Sequence, residues 1–189
     1  MRKSLYILIV LLAIVFYGCP YQSPIELSTY EESLKVDKNL EGSWVAFHDD
    51  GSKDELLFEK IARSVMQVSH KELDKNDRSK GINKYRIYAT NINGQILYNI
   101  ENKNGKYMFA KYAWTGKNVF NTQLISEEYM SENFKVDSVT AENLKSFLFE
   151  KANLNERQRS GIIDFISKFY EVIEDEKQAT RVFTNCIDY

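Results

Sequence analysis

Proline, cysteine and histidine each occur only twice in this 189-residue chain, and glycine only eight times. Each scarcity removes a kind of chemistry. Cys19 and Cys186 stand near opposite ends, so they form neither a thiolate metal site nor a Cys-x-x-Cys redox pair. A zinc centre needs three or four ligands of defined geometry. His48 has only Asp49 and Asp50 beside it, and His70 lies apart. His48 therefore reads as a residue of a solvated turn, and His70 as a strand end in contact with water. No metal and no cofactor are expected. The few glycines are dispersed through turns, with no phosphate-cradling loop. No Gly-x-Ser-x-Gly occurs, and the only Ser-Gly, Ser160-Gly161, falls inside a predicted helix. The formal charge is −2, which argues against a nucleic-acid partner. A non-enzymatic role is the reading that follows. A hydrolase working through acidic residues is the lesser alternative; glycoside chemistry needs two carboxylates held about 5–10 Å apart.

Among what is present, the first eighteen residues stand out. Arg2 and Lys3 precede an apolar run from Leu5 to Phe16, 12 residues long, and Gly18 precedes Cys19. A signal h-region takes roughly 7–15 residues, whereas a spanning helix needs about 20. Phe16-Tyr17-Gly18-Cys19 resembles a bacterial lipobox in its last two positions, with bulky aromatics in the first two. The resemblance implies cleavage before Cys19, diacylglycerol on its thiol, and residence in the cell envelope, anchored to a membrane on the periplasmic or outer-membrane side. An uncleaved signal anchor is the competing reading. Loss of Arg2 and Lys3 moves the formal charge from −2 to −4, so the lipid, not electrostatics, would hold the bilayer. Cys186 then reads as a free thiol near the C-terminus; a bridge to another chain is the alternative in an oxidising compartment.

The mature chain is expected to be one domain. Residues 19–39 read as a tether, polar and without a continuous apolar face. The folded domain spans 40–189, with a sheet over about 40–125 and helices over about 140–175. Tyr (12) and Phe (11) are abundant and suit half-buried sheet surfaces. Residues 55–70 fit either a helical face or two strands broken near Ala62-Arg63, and two strands are favoured. Residues 71–83 read as a charged loop. Between 84 and 125 the pattern predicts an antiparallel meander. Asn93-Gly94 and Asn104-Gly105 are hairpin turns between apolar runs, and Ile96, Tyr98 and Ile100 alternate with polar residues. Apolar groups on both faces of 107–112 predict a strand covered on both sides. Thr140 can cap a helix carrying Leu144, Phe147 and Leu148. Ile162, Phe165, Ile166, Phe169, Tyr170 and Ile173 recur at intervals of three and four and predict a second helix over 156–174. The expected class is thus α+β: an antiparallel β-meander, as a half-barrel or curved sheet, with two C-terminal helices.

Leu40-Glu41-Gly42-Ser43-Trp44 followed by an aromatic-rich meander resembles the Gly-x-Trp opening of lipocalin-like proteins. Together with the lipid signal it also resembles small envelope lipoproteins of the Bacteroidota. The resemblance spans about residues 40–150. It implies a β-barrel or half-barrel able to hold a small apolar ligand, with Trp44, Tyr98, Phe109 and Trp114 as candidate lining. Two functional expectations follow: a lipid-anchored binding or structural protein of the envelope, with a small apolar ligand or another envelope protein as partner, and a lipocalin-like carrier.

Overall fold

The computed structural model describes residues 20–136, 138–152 and 165–171. The signal segment, Cys19, Ser160-Gly161 and Cys186 lie outside them. Eight strands are present among the described residues: β1 (Gly42–Phe47), β2 (Lys53–Lys60), β3 (Met66–Leu73), β4 (Ser79–Ile92), β5 (Gln95–Glu101), β6 (Tyr107–Gly116), β7 (Val119–Leu124) and β8 (Phe165–Glu171). Each pairs antiparallel with its neighbour in sequence, and β8 also pairs with β1, so the meander closes into a barrel. Two helices follow β7: α1 (Glu127–Asn133) and α2 (Ala141–Ala152). The α+β meander with helices after it is the expected architecture.

The turns follow from their residues. Asn93 and Gly94 both hold positive φ, 49° and 91°, as a two-residue hairpin matching the twist of its strands requires. The Asn91 side-chain oxygen accepts from the Gly94 amide at 2.7 Å. At the next turn the Asn102 side chain accepts from the amides of Asn104 and Lys106, and Gly105 takes the positive φ. Ser126 caps α1 through the Tyr129 amide, and Thr140 caps α2 through the Asn143 amide, as expected of Thr140.

Three expectations are corrected. The stretch 71–83 is not a loop. Lys71–Leu73 and Ser79–Asn83 continue the β3–β4 ladder, with the turn confined to 74–78. Asp74 closes that turn by accepting from the amides of Asn76 and Arg78. The β4 residues 79–84 are all exposed, so charged side chains are tolerated there while the backbone ladder holds the hairpin. Second, residues 165–171 are strand, not helix; the remainder of the predicted second helix lies outside the described residues. A helix here would leave the edges of β1 and β7 unpaired, and strand β8 satisfies both.

Third, residues 20–36 are not a tether. They lie as a strap across the barrel's outer face. Ser23 exchanges backbone hydrogen bonds with Tyr107 at 2.7 and 3.0 Å, and the Leu34 amide donates to the Ala89 carbonyl. The Leu27 amide donates to the Asn99 side chain at 2.8 Å. Tyr30 donates to Glu101, which also pairs with Arg86, while Tyr88 donates to Glu26. Burial, then the neighbouring carboxylate, pushes both phenols above their ordinary value.

Two cores result, one on each face of the sheet. Inside the barrel pack Leu40, Trp44, Ala46, Phe58, Met66, Val68, Ile87 and Phe120. Outside, Leu27 of the strap and Met130, Leu144 and Leu148 of the helices cover Ile92, Leu97 and Phe109. Phe109 and Ala110, adjacent on β6, are both buried. That part of the strand is covered on both sides, as its sequence predicts.

Candidate functional site

Alternation along each strand decides what faces the interior. Trp44 and Ala46 on β1, Leu56 and Phe58 on β2, Met66 and Val68 on β3, and Tyr98 and Ile100 on β5 all belong to the inner core. One end of the barrel is closed. A short 3-10 helix, Lys38–Leu40, lies across it, and the Trp44 indole N–H donates to the Leu40 carbonyl at 2.9 Å. Trp44, Trp114, Tyr112 and Phe120 pack there as an aromatic floor, with ring centroids 4.7–5.9 Å apart. Tyr112 donates to Asp37 at 2.6 Å, and the Tyr98 hydroxyl hydrogen-bonds Tyr112. Burial works to raise the Asp37 carboxyl, yet its bonds from Tyr112 and Asn39 hold it below the ordinary value.

Above this floor the interior is not filled. A cavity of about 250 Å³ runs through it, lined mainly by apolar side chains such as Leu56, Phe58, Ile87, Ile100, Met108 and Leu124. An eight-stranded barrel is about wide enough to be packed solid or to hold one small ligand. This one has room left for the second case.

A polar cluster sits toward the other end of the strands. His48 follows β1 four residues after Trp44, and thus about 13 Å along an extended chain. The Asp54 carboxylate meets His48 Nε2 at 2.9 Å through one oxygen and His70 Nε2 at 3.0 Å through the other. Asp54 is the most covered of the three, its side chain 16% exposed against 22% for His70 and 33% for His48. Burial pushes its carboxyl up. The hydrogen bonds and charges of His70, then His48, outweigh that and hold it below the usual carboxylate range. An ionised carboxylate only accepts, so both imidazoles present Nε2–H to it. Asp54, His70 and Tyr85 all line the cavity. His48 does stand at the expected turn, its amide donating to Ser52 and its carbonyl accepting from Gly51, but both imidazoles are half-buried and drawn onto Asp54. Strand parity carries the missing signal. His70 is in phase with Met66 and Val68, and Asp54 with Leu56 and Phe58, so each carries its polar group to the inner face. Among the described residues no group of three or more His, Cys, Asp and Glu side chains is arranged to hold a metal.

The four candidate lining residues divide. Tyr98 lines the cavity. Trp44 and Trp114 form its floor through Phe120, which does line it. Phe109 faces the other way, into the outer core beside Tyr21. It is one residue out of phase with the inward-facing Ala110. Pro20, at the start of the strap, also lines the cavity and pairs with Ser126.

The site thus defines a class, a closed up-and-down barrel with an apolar internal chamber and one polar rim. No protein-family model, curated protein or solved structure matches this chain.

Proposed function

We propose that this is a lipid-anchored, non-catalytic protein of the cell envelope whose barrel carries a small apolar ligand in the manner of lipocalin-like proteins. The observation that carries the reading is the cavity of about 250 Å³, walled by aliphatic and aromatic side chains. Small-molecule sites are concave and mostly apolar, with a few placed polar groups, and the Asp54 cluster supplies those groups at one end. The volume falls just below the roughly 300 Å³ at which drug-sized sites begin, so the occupant is small. Tryptophan emission tests this reading in the full chain. The chain has only 2 Trp; both pack on the cavity-lining Phe120, Trp44 buried and Trp114 36% exposed. A brominated alkane seated in the barrel quenches them along a saturating, single-site curve; a linear or flat titration removes the ligand role.

The anchoring half of the reading rests on Cys19 behind its basic and apolar segment. Among the described residues no helix is long and apolar enough to cross a membrane. Two acyl chains at Cys19 would anchor stably, since each buried methylene contributes about 0.8 kcal/mol. Pro20, the residue after that cysteine, bridges Ser126 at the start of α1 and lines the chamber, so the lipid would stand close to the chamber. Radiolabelled fatty acid is expected to enter the wild-type protein and to be lost in Cys19→Ala. Equal labelling of the two, or none in either, rejects the anchor.

A further inference from the structure

The polar rim narrows the class of ligand, and this step rests on the apolar-ligand reading above. Asp54, His70 and Tyr85 all line the cavity; His70 bonds Asp54, and its ring lies 6.4 Å from that of Tyr85. His48 completes the cluster from behind Asp54. Each Asp54 oxygen takes one imidazole N–H. A carboxylate has about four lone-pair sites, so two bonds leave acceptor capacity on both oxygens. With Nε2 protonated and the ring neutral, His70 Nδ1 is a further acceptor. The Tyr85 hydroxyl makes no hydrogen bond among the described residues. When both imidazoles are neutral, the cluster carries the single negative charge of Asp54. Of the lysines, Lys111 also lines the cavity but donates to Gln95 at 3.2 Å, at the start of β5 and away from Asp54; Lys53 pairs with Asp77 and Glu55, and Lys71 with Glu55. Glu72 adds negative potential at Tyr85. The rim is therefore rich in acceptors and negative in sign.

We propose that the cavity takes an amphiphile whose polar end donates hydrogen bonds, an alcohol or a primary amine, and that it rejects a carboxylate. The alkyl tail lies along Leu56, Ile87 and Ile100 toward Phe120, and the head rests on Asp54, His70 and Tyr85. A carboxylate head would meet Asp54 as a like charge and offer no donor to its free lone pairs. A hydroxyl or ammonium gives a hydrogen bond to a charged acceptor, the stronger kind.

Three probes of one chain length separate the cases: ω-bromooctanol, ω-bromooctylamine and ω-bromooctanoate. The bromine sits at the tail, so a correctly oriented ligand brings it to Trp44 and Trp114. The titration uses the full chain in lipid nanodiscs at mildly alkaline pH. The alcohol and the amine are expected to bind at least about tenfold more tightly than the carboxylate, the scale of one charge-assisted hydrogen bond. Asp54→Asn removes the charge but keeps the side chain's size, and it is expected to bring the three within about threefold while partition into the lipid stays the same. The wild-type ranking stands without that variant should its fold be impaired. Equal affinities, or a preference for the carboxylate, overturn the head-group assignment and leave the apolar chamber in place. Saturable quenching by none of the three, and none by a bromoalkane, overturns the chamber itself and this inference with it.

Discussion

Trp44→Ala is expected to lower the stability of the protein by about 3–5 kcal/mol, the range for removing a large aromatic side chain from a packed core. The indole is 1% exposed. It stacks edge-on to Phe120 at 4.7 Å and lies 5.7 Å from Trp114. Its loss empties the floor of the barrel and leaves the Leu40 carbonyl without the N–H that now reaches it. The 3-10 helix closing that end then loses its only bond from the indole. Domains of this kind hold about 5–15 kcal/mol in all, so the loss is a large share of the total. Trp44→Phe keeps a ring but not the donor, and is expected to cost less, about 1–3 kcal/mol, as for a buried acceptor left unpaired. Urea denaturation measures both. The midpoint falls in the order wild type, Phe, Ala with the slope unchanged. An Ala variant as stable as wild type would mean that the floor is not packed as described.

Leu27→Ala is the second large effect, expected at about 2–5 kcal/mol. Leu27 lies in the strap, far from the barrel interior in sequence and position. It is 0% exposed and packs with Leu97, Phe109, Met130 and Leu144. Its amide is fixed to Asn99. A tether residue substituted in this way would move stability by no more than about 0.5 kcal/mol. The urea midpoint therefore distinguishes a strap that belongs to the cooperative fold from a segment that merely links it to an anchor. An unchanged midpoint returns residues 20–36 to the status of a linker.

Local chemistry made part of this fold legible, and non-local pairing hid the rest. Asn93-Gly94 and Asn104-Gly105 announce their hairpins because few other residues hold positive φ at such turns. The alternation at Ile96, Tyr98 and Ile100 fixes β5, and Thr140 fixes the start of α2. The segment at 165–171 has two readings. Phe165, Phe169 and their neighbours satisfy a helical spacing, yet Phe-Ile-Ser-Lys-Phe-Tyr-Glu is equally rich in strand formers. What favours the strand is the pair of free edges on β1 and β7, and those exist only once the meander has curled. The strap was hidden for a related reason. Its anchors, Tyr21, Ile25, Leu27 and Tyr30, are too sparse for a local pattern, and their partners lie on β4 to β6 and the helices. The Asp54 cluster joins three residues from separate segments, so no spacing rule brings them together. Only the inward phase of each along its own strand points there. The lipocalin-like resemblance points to Phe109 as lining, but its phase on β6, opposite to that of Ala110, places it outside.

The sharpest test is a single comparison of ω-bromooctane binding to wild type and to Ala110→Phe. Ala110 lies on β6 between Tyr98 and Leu124, is 7% exposed and lines the chamber, so a phenyl ring there takes up chamber space. Wild-type tryptophan emission should quench to a plateau at one molecule per chain, while the filled variant, with an unaltered far-ultraviolet spectrum, should not respond. Identical saturable quenching in both proteins would contradict an internal site.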